Sequence, residues 1–143
     1  MIRSEYPAAE IRCGENLFAI EYFRVYPDSA EAGSPYNSSF CIRVVSGGFC
    51  GYAPCEYDVR EFKRFVCEME ELYCFRRRQV ELCDICYGSK VLFSADRTGH
   101  IEISGEIFGS GALQSLHFAF GADQTCLSEF IKTVKGYISG SEA

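Results

Sequence analysis

Gly99-His100-Ile101-Glu102-Ile103-Ser104-Gly105-Glu106-Ile107-Phe108, a Gly/Ser turn, and Leu116-His117-Phe118-Ala119-Phe120 form the stretch that decides the fold. Apolar and polar residues alternate through both runs, as in a half-buried antiparallel sheet with one face toward a core. A Gly-Ala-Asp-Gln-Thr link follows, and from Cys126 the apolar spacing changes to Leu127, Phe130, Ile131, Val134 and Ile138, one face of a helix. The last strand is expected over Leu113–Phe120 and the last helix from about Cys126 to Ile138.

The same patterns extend toward the N-terminus. Leu17 to Val25 is rich in aromatic and branched residues and reads as a first strand. Pro27 to Ser39 carries Asp, Ser, Gly, Pro and Asn and reads as a surface loop. Phe40, Ile42 and Val44 alternate with Cys41 and Arg43 in a second strand, and Ser46-Gly47-Gly48 turns it into a short third strand over Phe49–Tyr52. Asp58, with Glu61 three residues on, opens a helix close to the capping-box arrangement. Its apolar face is Val59, Phe62, Phe65, Val66, Met69, Leu72 and Tyr73, and Arg76-Arg77-Arg78 is expected to end it, where cations complement the helix dipole. Val80–Ile85 and Val91–Ala95 complete the strands. The expected fold is α+β: an antiparallel sheet of six to seven strands in the order βββα-ββββα, with two helices on one face. Glu61 to Val66 loosely echoes Glu129 to Val134, which hints at a duplicated unit.

The chain has 143 residues, enough for one domain with a full core, here residues 1–143 with the core over 17–138. Its net charge of −6 argues against nucleic acid or an anionic membrane as the main partner and suits a cationic one. The N-terminus has no apolar signal region and no window approaches a membrane span, so the expected location is the cytoplasm. Nine cysteines, an odd number scattered through strand and helix patterns, read as small buried hydrophobes in a reducing compartment rather than as a disulfide framework.

Three constellations could carry chemistry. Cys83-Asp84-Ile85-Cys86 could join Cys50 and Cys55 in a zinc site, but strand positions three apart point to opposite faces. His100 or His117 could pair with a thiol such as Cys83 as a nucleophile and base, yet no orienting Asn or Asp and no oxyanion donor accompanies them. The glycine pairs sit in hairpin turns and not before helices, so no phosphate loop is present. No catalytic residue, metal or cofactor is assigned. A small-ligand or metal-binding module is the alternative to a protein-binding one.

The segment Phe40-Cys41-Ile42-Arg43-Val44-Val45-Ser46-Gly47-Gly48-Phe49-Cys50-Gly51, followed by a helix containing Phe62, resembles the start of bacterial WapI-type immunity proteins. The later order resembles them too: a Gly99–Ile103 strand, Leu116–Phe120, Asp123-Gln124-Thr125, and a final helix with Leu127 and Phe130. The resemblance spans residues 17 to 138. It implies a small cytoplasmic antidote that binds and neutralises a secreted or contact-delivered toxin domain. With helices on one sheet face, the other would offer Arg43, Glu81, Glu102 and His117 to the partner. Glu68 and Glu71 of the acidic helix run would join them, and an acidic inhibitor suits a basic toxin.

Overall fold

The computed structural model describes residues 6–141. The strands β1 (Ala9–Cys13), β2 (Asn16–Val25), β3 (Ser38–Ser46) and β4 (Phe49–Tyr57) are followed by helix α2 (Val59–Tyr73), with a short helix α1 (Pro27–Glu31) inserted between β2 and β3. Strands β5 (Gln79–Cys83), β6 (Lys90–Ala95), β7 (His100–Phe108) and β8 (Ser115–Asp123) are followed by α3 (Leu127–Ser141). Each set of four strands is a separate antiparallel sheet in meander order, β1-β2-β3-β4 and β5-β6-β7-β8. The α+β class stands, but the single sheet of six to seven strands is corrected to two sheets of four, and the two helices become three.

The element order ββββα thus occurs twice, with α1 inserted in the first half. Phe62, Val66 and Met69 of α2 correspond to Phe130, Val134 and Tyr137 of α3, and all six are buried. The helices cross over between the units. The backbone of α2 runs along β5 of the second sheet and that of α3 along β1 of the first, and the two helices touch, while Phe62 of α2 still packs on Phe23, Phe40 and Tyr57 of the first sheet. Hence the helices do not share one face of one sheet.

Alternation explains which side chains point inward. The rows Ala9, Ile20, Ile42, Ala53 and Ile11, Phe18, Val44, Gly51 face the core of the first sheet. Val80, Phe93, Ile103 and Phe120 do so in the second. Both inner faces contribute to one core. Phe18 of β2 meets Phe93 of β6 edge-on at 5.3 Å between centroids, and both rings contact Phe130 of α3. Phe65 of α2 lies 5.9 Å from Phe93. Such pairs add about 0.5–1.5 kcal/mol beyond the area they bury.

Where the units adjoin, small residues let backbones and side chains close in. A Cβ on Gly51 of β4 would sit 2.7 Å from Leu116 Cδ2 and 2.9 Å from Ile107 Cδ1. Within the second sheet, a Cβ on Gly105 would fall 2.1 Å from the Lys90 carbonyl oxygen, so only glycine fits there.

Local chemistry sets the helix ends. The Asp58 carboxylate accepts from the Arg60 N–H at 2.9 Å, and buried Asn37 reaches across to accept from the Val59 N–H at 2.7 Å. Burial alone would raise the Asp58 pKa, but the hydrogen bonds from Arg60 and Asn37 hold it below its ordinary value. The C-terminus departs from expectation. α2 stops at Tyr73, Phe75 takes φ +62°, and the three arginines lie beyond the helix. Arg77 nonetheless folds back to Glu71 at 3.2 Å. β1 was hidden because it is five residues long and one of its two inward residues is the small Ala9. Leu113 belongs to the turn before β8 and is exposed. Among the described residues no helix is long and apolar enough to cross a membrane.

Candidate functional site

Splitting one sheet into two separates the residues expected to meet a partner. Arg43 stands on the outer face of the first sheet, in the row Ala19, Arg43, Tyr52. Glu81, Glu102 and His117 stand on the outer face of the second, in three different rows. Glu68 and Glu71 lie on α2. The expectation that Arg43 shares a face with Glu81, Glu102 and His117 is therefore corrected. Glu68 and Glu81, by contrast, do converge, since both line the groove between α2 and β5.

The outer face of the first sheet has the densest arrangement. Arg43 forms an ion pair with Glu21 at 3.1 Å and lies over the Tyr52 ring at 5.7 Å. Burial, with a hydrogen bond from the Tyr52 hydroxyl to Cys41 next in effect, pushes the Tyr52 phenol well above its ordinary pKa, so it stays protonated. A register shift in β2 between Glu21 and Arg24 turns the strand there. Tyr22, at φ +59°, projects outward and is 59% exposed, while Phe23 turns into the core. Tyr52 is 48% exposed. A β-bulge that aims an aromatic side chain into solvent holds backbone strain that the surrounding sheet must sustain.

Beside this face opens a cleft of about 440 Å³. The row Arg24, Ser39, Glu56 crosses its floor, and Cys86 and Tyr87 come from the loop between β5 and β6. Asp84 fixes that wall. Its buried carboxylate accepts from the backbone N–H groups of Glu56 at 2.7 Å, Cys86 at 3.1 Å and Tyr87 at 2.6 Å. Burial first, and the neighbouring Asp84 second, raise the Glu56 pKa. Asp84 escaped sequence reading because it sits inside the Cys83–Cys86 spacing, which drew attention to the thiols.

The thiols do not assemble. Cys55 and Cys86 line this cleft together, whereas Cys83 lines the groove on the α2 side and Cys50 a separate hollow beside Leu116. Among the described residues no group of three or more His, Cys, Asp or Glu side chains is placed to hold a metal ion. Cys83 and His117 occupy the two ends of one row, Cys83, Lys90, Glu106, His117. Three strand spacings of about 4.8 Å put them roughly 14 Å apart, far beyond proton-transfer reach. Burial, and then the Glu81 charge, raise the Cys83 pKa, the opposite of what a nucleophile needs. His100 lies flat against the strand beside it, where a Cβ on Gly121 would be 2.7 Å from its Cε1.

Comparison with family models, curated proteins and solved structures finds no match to this chain. The surface chemistry thus has to speak for itself. Tyr22 and Tyr52 were missed by the sequence reading. Both strands were recognised at least in part, but the bulge that exposes Tyr22 leaves no mark in the alternation.

Proposed function

We infer that this chain is a non-catalytic interaction protein of the immunity type, which binds a cognate toxin domain in the cytoplasm and covers its active site. One observation carries the reading. The outer face of the first sheet bears Tyr22, Tyr52 and Arg43 in the open, with the arginine held by Glu21 and poised over a ring. Tyrosine and arginine are the side chains enriched at interface centres, tyrosine because it brings large contact area with few rotatable bonds and arginine because its planar fork directs several hydrogen bonds. The resemblance of residues 17 to 138 to WapI-type immunity proteins names the kind of partner. The acidic balance of −6 favours fast encounter with a basic toxin.

Co-expression with the product of the adjacent gene, followed by purification through a tag on the chain, tests the reading. A complex that survives chromatography is expected, and the toxin's activity should be blocked in it. Arg43→Ala with Tyr52→Ala should weaken that complex by roughly a hundredfold, as for a pair of hot-spot side chains. Failure to capture a neighbouring toxin domain, or a double variant that binds as well as wild type, overturns it.

A further inference from the structure

The groove between α2 and β5 lies apart from the tyrosine-bearing face. Its volume is about 430 Å³. Tyr57 and Phe65, both nearly buried, and Ile85 give it an apolar floor, and the carboxylates of Asp58, Glu61, Glu68 and Glu81 rim it. Among its lining residues Arg64 is the one cation.

Asp58 is committed to the helix N-terminus, so Glu61, Glu68 and Glu81 are the carboxylates facing the opening. Their ion pairs are long. Arg64 stands 3.7 Å from Glu61 and 3.5 Å from Glu68, Arg77 stands 3.8 Å from Glu68, and Lys90 stands 3.7 Å from Glu81. Arg64 is 69% exposed and Lys90 59%. Exposed pairs of this geometry contribute about 0–1 kcal/mol, so they yield readily to a competitor. An arginine from another protein would lay its aliphatic stem over Phe65 and Ile85. Its planar fork could then engage Glu68 of α2 and Glu81 of β5 together, whereas Arg64 bridges only Glu61 and Glu68 of its own helix and Lys90 meets only Glu81.

We propose that the α2–β5 groove grips an arginine-bearing segment of the partner protein, with Arg64 holding the site until it is displaced. This rests on the reading that the chain acts by binding a basic protein, and it names the side chain that is gripped and where.

The probe is a capped peptide in which arginine alternates with leucine, titrated by calorimetry against the full chain. Glu68→Gln with Glu81→Gln should weaken binding about tenfold, the loss of roughly 1.4 kcal/mol. Glu106→Gln with Glu129→Gln removes the same charge from positions outside the groove and should change it less than about threefold, a long-range effect screened by salt. Arg64→Ala should strengthen binding several-fold, because the resident cation is gone. Replacing the peptide's arginines with citrulline should abolish binding. Equal weakening by both double variants means that only net charge is sensed and overturns the proposal. So does a citrulline peptide that binds as well, or an arginine peptide that does not bind at all. Thermal midpoints within a few degrees of wild type certify that the variants fold. A toxin complex unaffected by Glu68→Gln and Glu81→Gln sinks the groove and leaves the toxin reading intact. Groove-dependent peptide binding with no toxin captured does the reverse.

Discussion

Replacing Asp84 with alanine would strip the loop between β5 and β6 of its organising group. Asp84 is 7% exposed, and its carboxylate satisfies three backbone donors, one on β4 and two on its own loop. A hydrogen bond to a charged acceptor contributes about 1.5–3 kcal/mol, and a buried donor left alone costs about 1–3. The Cys86 and Tyr87 N–H groups lie beside the open cleft, where water can take over part of the loss. The Glu56 N–H lies on β4, where pairing with β3 fixes the backbone and leaves the donor less free to turn toward water. Removing a buried carboxylate also recovers its desolvation cost. Together these place the net loss at about 3–5 kcal/mol, a large share of the ~5–15 kcal/mol that stabilises a domain. Urea unfolding at neutral pH should show the midpoint falling with an unchanged slope. Asp84→Asn keeps an acceptor for part of the set and should lose about half as much. The Glu56 pKa, raised by burial and by Asp84, should fall toward its ordinary value in Asp84→Ala, as read by NMR titration. A stability loss below about 1 kcal/mol, or an unmoved Glu56, would refute the reasoning.

Other positions test the packing and the electrostatics. Gly105→Ala drives a methyl group into the Lys90 carbonyl and should cost at least about 3 kcal/mol in the same urea assay, whereas Gly136→Ala on α3 meets open space and should gain up to about 1 kcal/mol. Phe93→Ala, which removes the ring linking both sheets and both long helices, should cost about 3–5 kcal/mol in one cooperative transition; two separate transitions would show that the units do not share a core. Burial is the first cause pushing the Tyr57 phenol up to about 12, above the ~10 of an unfolded chain. Its contribution is thus complete below pH of about 10 and is lost as pH rises through about 12, a fall near 3 kcal/mol that Tyr57→Phe should largely remove from the alkaline limb of a stability–pH curve.

Much of the secondary structure was legible because its periods are clean. Ile101, Ile103 and Ile107 keep one phase along β7, and Phe62, Val66 and Met69 keep another along α2, so local pattern and burial agree. What local pattern lacks is pairing. Nothing in the residues of β4 and β5 says that a sheet ends at one and another begins at the other, because both strands alternate as members of a single sheet would. The exchange of helices between units is likewise a tertiary choice, made by aromatic rings such as Phe65 and Phe130 that fit the shared centre. The acidic α2–β5 groove was half legible. Glu68 and Glu81 were marked as exposed, but only the crossing of α2 onto β5 brings them to one opening. The tyrosine face was not legible, since it depends on a bulge and on which side of β4 looks out.

The exchange of helices also governs how the polypeptide can be made. As the first four strands and α2 leave the ribosome, β1 still lacks the helix that will cover it, and α2 has no second sheet on which to settle. That nascent half presents Phe18 and Phe65, whose partners Phe93 and Phe130 are still to come, until α3 has been synthesised and has travelled back to β1. Folding is thereby postponed until α3 has been made, and a chain cut short before α3 is a substrate for chaperones and proteases.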